Sequence, residues 1–124
     1  MYPSGRWRGH WEHPVLGRQP MRDLVLNFGD GRVEGHGVDV VGLFTFRGTF
    51  DHAGSVTLIK QYIGRHQVLY RGRYDGEGTI LGRWSILEVS SGPFALSPEK
   101  FTVESDAPIL TISATPGTDA DGTF

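Results

Sequence analysis

The sequence predicts an all-β protein: an eight-stranded antiparallel up-and-down barrel followed by a C-terminal extension. Three observations predict it. First, Gly 18 and Pro 7 together make about a fifth of the 124 residues, well above the average share of about 7% Gly and 5% Pro. An interior Gly costs a helix about 1 kcal/mol relative to Ala, so a mostly helical chain is excluded. Hydrophobic content of 38% and aromatic content of 11% exclude a disordered one. Second, a turn signal recurs. Phe28-Gly29-Asp30-Gly31, Phe50-Asp51-His52-Ala53-Gly54 and Tyr74-Asp75-Gly76-Glu77-Gly78 each put an aromatic ahead of an Asp/Gly-rich loop, with the aromatics 22 and 24 residues apart. That spacing is two strands plus two turns, which places the three loops at the same end of a meander. Third, the runs between turns alternate apolar and polar residues.

The strands follow in order. The first, residues 5–13, alternates Trp7, Gly9 and Trp11 with polar side chains. The second (20–28) turns Leu24, Leu26 and Phe28 inward, and the third (32–38) turns Val33, Gly35 and Gly37. The fourth (42–50) carries Gly42, Phe44, Phe46, Gly48 and Phe50, and the fifth (55–63) Val56, Leu58 and Lys60. The sixth (66–74) carries His66, Val68, Tyr70, Gly72 and Tyr74, the seventh (79–87) Ile80, Gly82, Trp84 and Ile86, and the eighth (93–98) Phe94 and Leu96. The opposite face carries Arg47, Thr49, Thr57, Gln67, Arg71, Arg73, Thr79, Arg83 and Ser85, the contrast expected of one dry and one wet face. Short connections exclude parallel crossovers. An open sheet would leave two bare edges and an uncovered apolar face; closure removes both. Seven times within residues 1–100 a Gly precedes an aromatic by two residues, as in Gly82/Trp84, which suits sharp bends covered by a ring.

The barrel domain spans 1–100. The extension, 101–124, holds one apolar stretch, Ile109–Ile112, and then an acidic run. The stretch reads as an added strand or an oligomer contact; the barrel exterior is the other candidate contact between copies.

Totals exclude several functions. Cysteine is absent, which removes disulfides, thiolate metal sites and a cysteine nucleophile. The net charge of −2 is unevenly spread: +3 over residues 1–22, −1 over 23–98 and −4 over 99–124. A pI of about 6.2 argues against a nucleic-acid partner. No apolar run approaches the ~18 residues of a membrane span. The N-terminus, MYPSGRWRGHWEH, lacks an apolar signal core, so a cytoplasmic location is expected. His10 and His13 fall on opposite strand faces, and His36 and His52 on separate elements, so no metal or other cofactor is expected. Arg71, Arg73 and Arg83 form an outer stripe that reads as a solvated wall.

One inward cluster carries chemistry. Strands five and six read Lys60-x-Tyr62-x-Gly64-x-His66-x-Val68-x-Tyr70. Even numbers face inward on both strands, so the loop between them is odd, most simply Ile63-Gly64-Arg65. Tyr62 then faces His66, Lys60 faces Val68 and Leu58 faces Tyr70. The cluster lies at the end opposite the Asp/Gly turns, with Asp39, His13 and Glu88 nearby. A buried Lys needs a partner. Lys60 reads either as a desolvated base, Schiff-base nucleophile or anchor for an acidic ligand, or as a structural cation that snorkels to the rim or pairs with Asp39 or Glu88 to close the mouth. The candidate ligand-binding residues are Lys60, Tyr62, His66, Tyr70, Trp84, Asp39 and Trp11.

Gly9-His10-Trp11 on the first strand of an eight-stranded meander resembles the calycins, the lipocalin- and avidin-like barrels, over about residues 5–98. The resemblance implies that Trp11 plugs one end of the barrel and that the open end takes a small, mostly apolar molecule. The leading expectation is therefore non-catalytic binding of a small, partly apolar molecule in the barrel mouth. The alternatives are an isomerase- or cyclase-like enzyme using the inward Lys/His/Tyr set, and a packed scaffold acting through protein contacts.

Overall fold

In a computed structural model, the described residues are 2–87 and 89–99. They form eight strands: β1 (Gly5–His13), β2 (Gly17–Gly29), β3 (Arg32–Val38), β4 (Leu43–Phe50), β5 (Ser55–Tyr62), β6 (Gln67–Tyr74), β7 (Ile80–Ile86) and β8 (Ser90–Pro98). Each strand pairs antiparallel with the next. β8 returns to β1 through Trp7↔Pro98 to Trp11↔Phe94, closing the barrel. The expected extra strand or oligomer contact at Ile109–Ile112 lies outside the described residues. No helix among the described residues is long and apolar enough to cross a membrane.

The recurrent turns close one end. Asp30 and Gly31 have φ of 53° and 74° and make a two-residue hairpin between β2 and β3, a geometry that favours Asp-Gly. Asp51 accepts from the Ala53 and Ser55 amides at 2.9 Å each. Asp75 repeats the pattern with Glu77 and Thr79, at 2.7 and 3.1 Å. The aromatics ahead of these loops, Phe28, Phe50 and Tyr74, converge on Tyr2, with ring centroids 4.8, 5.4 and 5.2 Å away. Trp7 joins them, its indole N–H donating to the Pro3 carbonyl at 2.9 Å. The end plug is thus Trp7 from Gly5-Arg6-Trp7. Trp11, to which the resemblance gives that role, lies in the other half of the barrel.

Above the plug, Leu24, Leu26, Val33, Phe46, Leu58, Ile80, Phe94 and Leu96 are at most 2% exposed, so the lower barrel is filled. The inward strand glycines let walls and side chains approach. A Cβ on Gly48 would strike the Thr57 carbonyl, and one on Gly82 the Arg71 carbonyl. Gly42 differs from the alternation pattern: it lies in the β3–β4 connection with φ of 149°, facing open space.

β2 departs most from simple alternation. Its inward residues are Met21 and then Leu24, Leu26 and Phe28, so the parity changes between Met21 and Leu24. Both ladders slip at the same place: β1 advances from Trp7 to Gly9 while β2 moves from Leu24 to Met21, and β3 advances two residues while β2 moves from Arg22 to Val25. Asp23, with φ of 52°, is the extra residue. A bulge re-aims the strand, letting β2 start at Gly17 with Met21 still in the core.

Candidate functional site

The unplugged end is built by the connections β1–β2, β3–β4, β5–β6 and β7–β8. β5 and β6 pair in the expected register, Leu58↔Tyr70 and Lys60↔Val68, and the Tyr62 amide donates to the His66 carbonyl at 3.2 Å. On its other edge β5 sets Lys60 against Phe46 and Tyr62 against Phe44.

Lys60 is wholly enclosed, and its partner is Asp39. The ammonium donates to Asp39 Oδ2 at 2.6 Å and to the Tyr70 hydroxyl at 3.1 Å, and both charged side chains are 0% exposed. The same Oδ2 accepts from the Tyr62 hydroxyl at 2.8 Å and the Trp11 indole at 3.1 Å. Oδ1 takes the Val41 amide at 2.9 Å, pinning the β3–β4 connection. The Lys60 ammonium also lies among ring faces, 4.2 Å from the Phe44 centroid and 4.8 Å from that of Tyr62, where a cation is stabilised.

The electrostatics follow from this packing. Burial pushes the Lys60 ammonium down to about 8, against the pull of Asp39. Burial raises the Asp39 carboxyl, but Lys60, the Tyr62 hydroxyl and the Val41 amide outweigh it and hold it below its usual 3.8. Tyr62 is raised by burial and by Asp39, and Tyr70 likewise, so both phenols stay protonated across the physiological range.

Above this pair lies a half-open cavity of about 190 Å³, lined by Trp11, His13, Leu16, Val41, Tyr62, His66, Val68, Tyr70, Trp84 and Ile86. Of the expected site residues, Trp11, Tyr62, His66, Tyr70 and Trp84 meet here. Lys60 and Asp39 sit behind the wall and hold it. His66 is exposed on the rim, with its ring 5.1 Å from Tyr62, because it belongs to the turn and follows no strand alternation. Trp84 lies edge-to-face on Trp11 at 5.9 Å, stacks on His13 at 6.0 Å and donates to the Glu12 carbonyl at 2.9 Å. Gly92 makes that last bond accessible: a Cβ there would strike the Glu12 carbonyl and come within 2.8 Å of the Trp84 indole nitrogen.

His13, expected near this end, puts its ring into the wall, whereas Leu16 and Val41 are lining residues outside the candidate set. Leu16 and Val41 carried a signal, being apolar residues in turns. The wider pattern is a ring of aliphatic side chains. Val15, Leu16, Val40, Leu43, Ile63, Leu87 and Val89 are seven of the eight large, well-exposed hydrophobics among the described residues, and all stand around this mouth. The opposite turns are polar.

A larger concavity, about 770 Å³, lies outside the barrel over β1, β2 and β8. Arg6 and Arg18, two of the side chains along it, already pair with Glu99 and Glu12 at 2.8 and 2.7 Å. Both pairs are solvent-exposed and screened, so they contribute little, and the surface reads as a solvated sheet face. No family model, curated protein or solved structure matches the chain.

Proposed function

We propose that this chain is a non-catalytic binding protein whose barrel mouth takes a small, partly apolar molecule about one ring in size. The observation that carries the reading is the cavity of about 190 Å³ walled by Trp11, Tyr62, Tyr70 and Trp84. An apolar cavity of about 150 Å³ holds benzene, whereas drug-sized ligands occupy about 300–1,000 Å³; the volume here favours one ring. The calycin-like reading belongs to the same proposal, supported by eight consecutive strands in up-and-down order around one closed barrel.

The catalytic alternative uses the same residues but is less favoured. A base or Schiff-base nucleophile must reach its substrate, and the Lys60 nitrogen is enclosed and held by Asp39 and Tyr70.

Native mass spectrometry of the chain equilibrated with a small-molecule extract of its source cells tests the reading. The expected result is a one-to-one adduct that is lost in Ile86→Trp, which fills the cavity from its half-buried edge. An adduct that survives Ile86→Trp, or none at all, overturns it.

A further inference from the structure

Resting on that reading, we infer that the ligand is a neutral planar ring bearing a hydrogen-bond acceptor, such as an aryl ketone or aldehyde, and that the Tyr70 hydroxyl is the group that recognises the acceptor. His13 turns its Nδ1 to the Val15 and Leu16 amides and His66 stands exposed on the rim; among the phenols and indoles of the wall, one polar hydrogen is still available. Trp11 and Tyr62 both donate inward to Asp39, and Trp84 donates to the Glu12 carbonyl. Tyr70 differs: its oxygen accepts from Lys60, and its own hydrogen has no acceptor among the described residues. A phenol donates one hydrogen and accepts through its lone pairs, so Tyr70 retains one donor for a guest. The Lys60 ammonium, by bonding to that oxygen, strengthens the donor through hydrogen-bond cooperativity.

The charge of the guest follows from the lining. Among the described residues no Asp, Glu, Lys or Arg lines the cavity, and the charges behind the wall, Lys60 and Asp39, cancel each other at 2.6 Å. A charged guest would lose water and gain no permanently charged counter-ion among the described residues, a large penalty. A cationic guest would additionally compete with Lys60 for the faces of Trp11, Tyr62 and Tyr70, which its ammonium already approaches at 5.5, 4.8 and 5.3 Å. The aliphatic rim adds no fixed charge of its own.

The test is a calorimetric titration of the full chain with four one-ring probes: acetophenone, cumene, benzoate and benzylammonium. Acetophenone is expected to bind at least fivefold more tightly than cumene, which matches its shape but lacks the acceptor, and at least tenfold more tightly than either ion. Tyr70→Phe is expected to bring the acetophenone-to-cumene ratio to about one while cumene affinity stays within twofold. A merely structural loss would weaken both probes together. Benzoate or benzylammonium binding as tightly as acetophenone overturns the inference and leaves the cavity reading intact, as does an unchanged ratio in Tyr70→Phe. Failure of all four probes to bind overturns the cavity reading itself. Should Tyr70→Phe not fold, the four affinities of the native chain decide the charge and acceptor preferences.

Discussion

Asp39 and Lys60 meet at 2.6 Å inside the barrel, with no exposure of either side chain, although one stands on a connection and the other on a strand. Asp39 does more than neutralise Lys60, since it also receives Tyr62, Trp11 and the Val41 amide. The two residues are therefore unequal. Breaking a buried pair costs about 3–5 kcal/mol. Lys60→Met leaves a carboxylate with three remaining donors. Asp39→Ala leaves an enclosed ammonium and also orphans those donors, each worth about 1–3 kcal/mol when stranded. Urea unfolding is expected to rank Asp39→Ala as more destabilised than Lys60→Met by at least about 1 kcal/mol. Equal losses would mean that Asp39 acts as a counter-ion only.

The pair also sets a pH dependence. The folded-state pKa of Asp39 lies below its usual 3.8, so its contribution to stability is complete above that value and is lost as pH falls through it and below. The unfolding midpoint of the native chain should drop more between pH 5 and 3 than that of Asp39→Asn. Lys60 moves stability in the same direction with pH, through a cost relieved as pH rises. Its folded pKa is lowered to about 8 from 10.5, so the cost of its buried charge is present below about pH 8 and relieved between 8 and 10.5. The native chain should gain stability relative to Lys60→Met between pH 7.5 and 9.5. Parallel pH profiles would remove both assignments.

Barrel closure depends on close backbone approach at particular glycines. Gly82→Ala places a Cβ against the Arg71 carbonyl and within 2.7 Å of its carbon. Both are backbone atoms of the paired strand, which cannot rotate away. Gly29→Ala has open space around it and no positive φ. Thermal unfolding should show Gly82→Ala losing at least about 1–3 kcal/mol, the usual cost of overpacking, and Gly29→Ala changing little. Similar melting temperatures for the two would contradict the assigned approach.

The β2 bulge makes a separate prediction. Asp23 holds a left-handed backbone at φ of 52°, which costs a residue with a Cβ about 1–2 kcal/mol and most of all a β-branched one. Asp23→Gly should be neutral or stabilising, and Asp23→Val destabilising by about 1–2 kcal/mol, measured by guanidinium unfolding. A destabilised Asp23→Gly with an unharmed Asp23→Val would show that the bulge lies elsewhere.

Much of this was legible in the chain. Alternation and the three Asp/Gly loops carry the strand order, because period two and turn chemistry are local properties. The odd loop at Ile63-Gly64-Arg65 carries the β5–β6 register, hence the placing of Lys60 and Tyr62. The bulge at Asp23 was not legible: a parity change leaves no composition signal, and Met21 and Leu24 read as two faces of one strand. Nor did the sequence decide between Asp39 and Glu88 as the Lys60 partner, since that choice depends on how the β3–β4 connection folds over the barrel. Trp7 and Trp11 stand in similar Gly-x-Trp settings, and only the three-dimensional ends of β1 distinguish plug from mouth.

The cavity reading meets its most direct test in the three indole N–H signals of the chain. Trp11 and Trp84 line the cavity, whereas Trp7 packs in the opposite plug. Titration with acetophenone, followed by proton–nitrogen correlation NMR, is predicted to move the Trp11 and Trp84 indole signals along one saturable curve while Trp7 stays fixed. Three static signals at saturating probe, or a shift confined to Trp7, would contradict a ligand site in the barrel mouth.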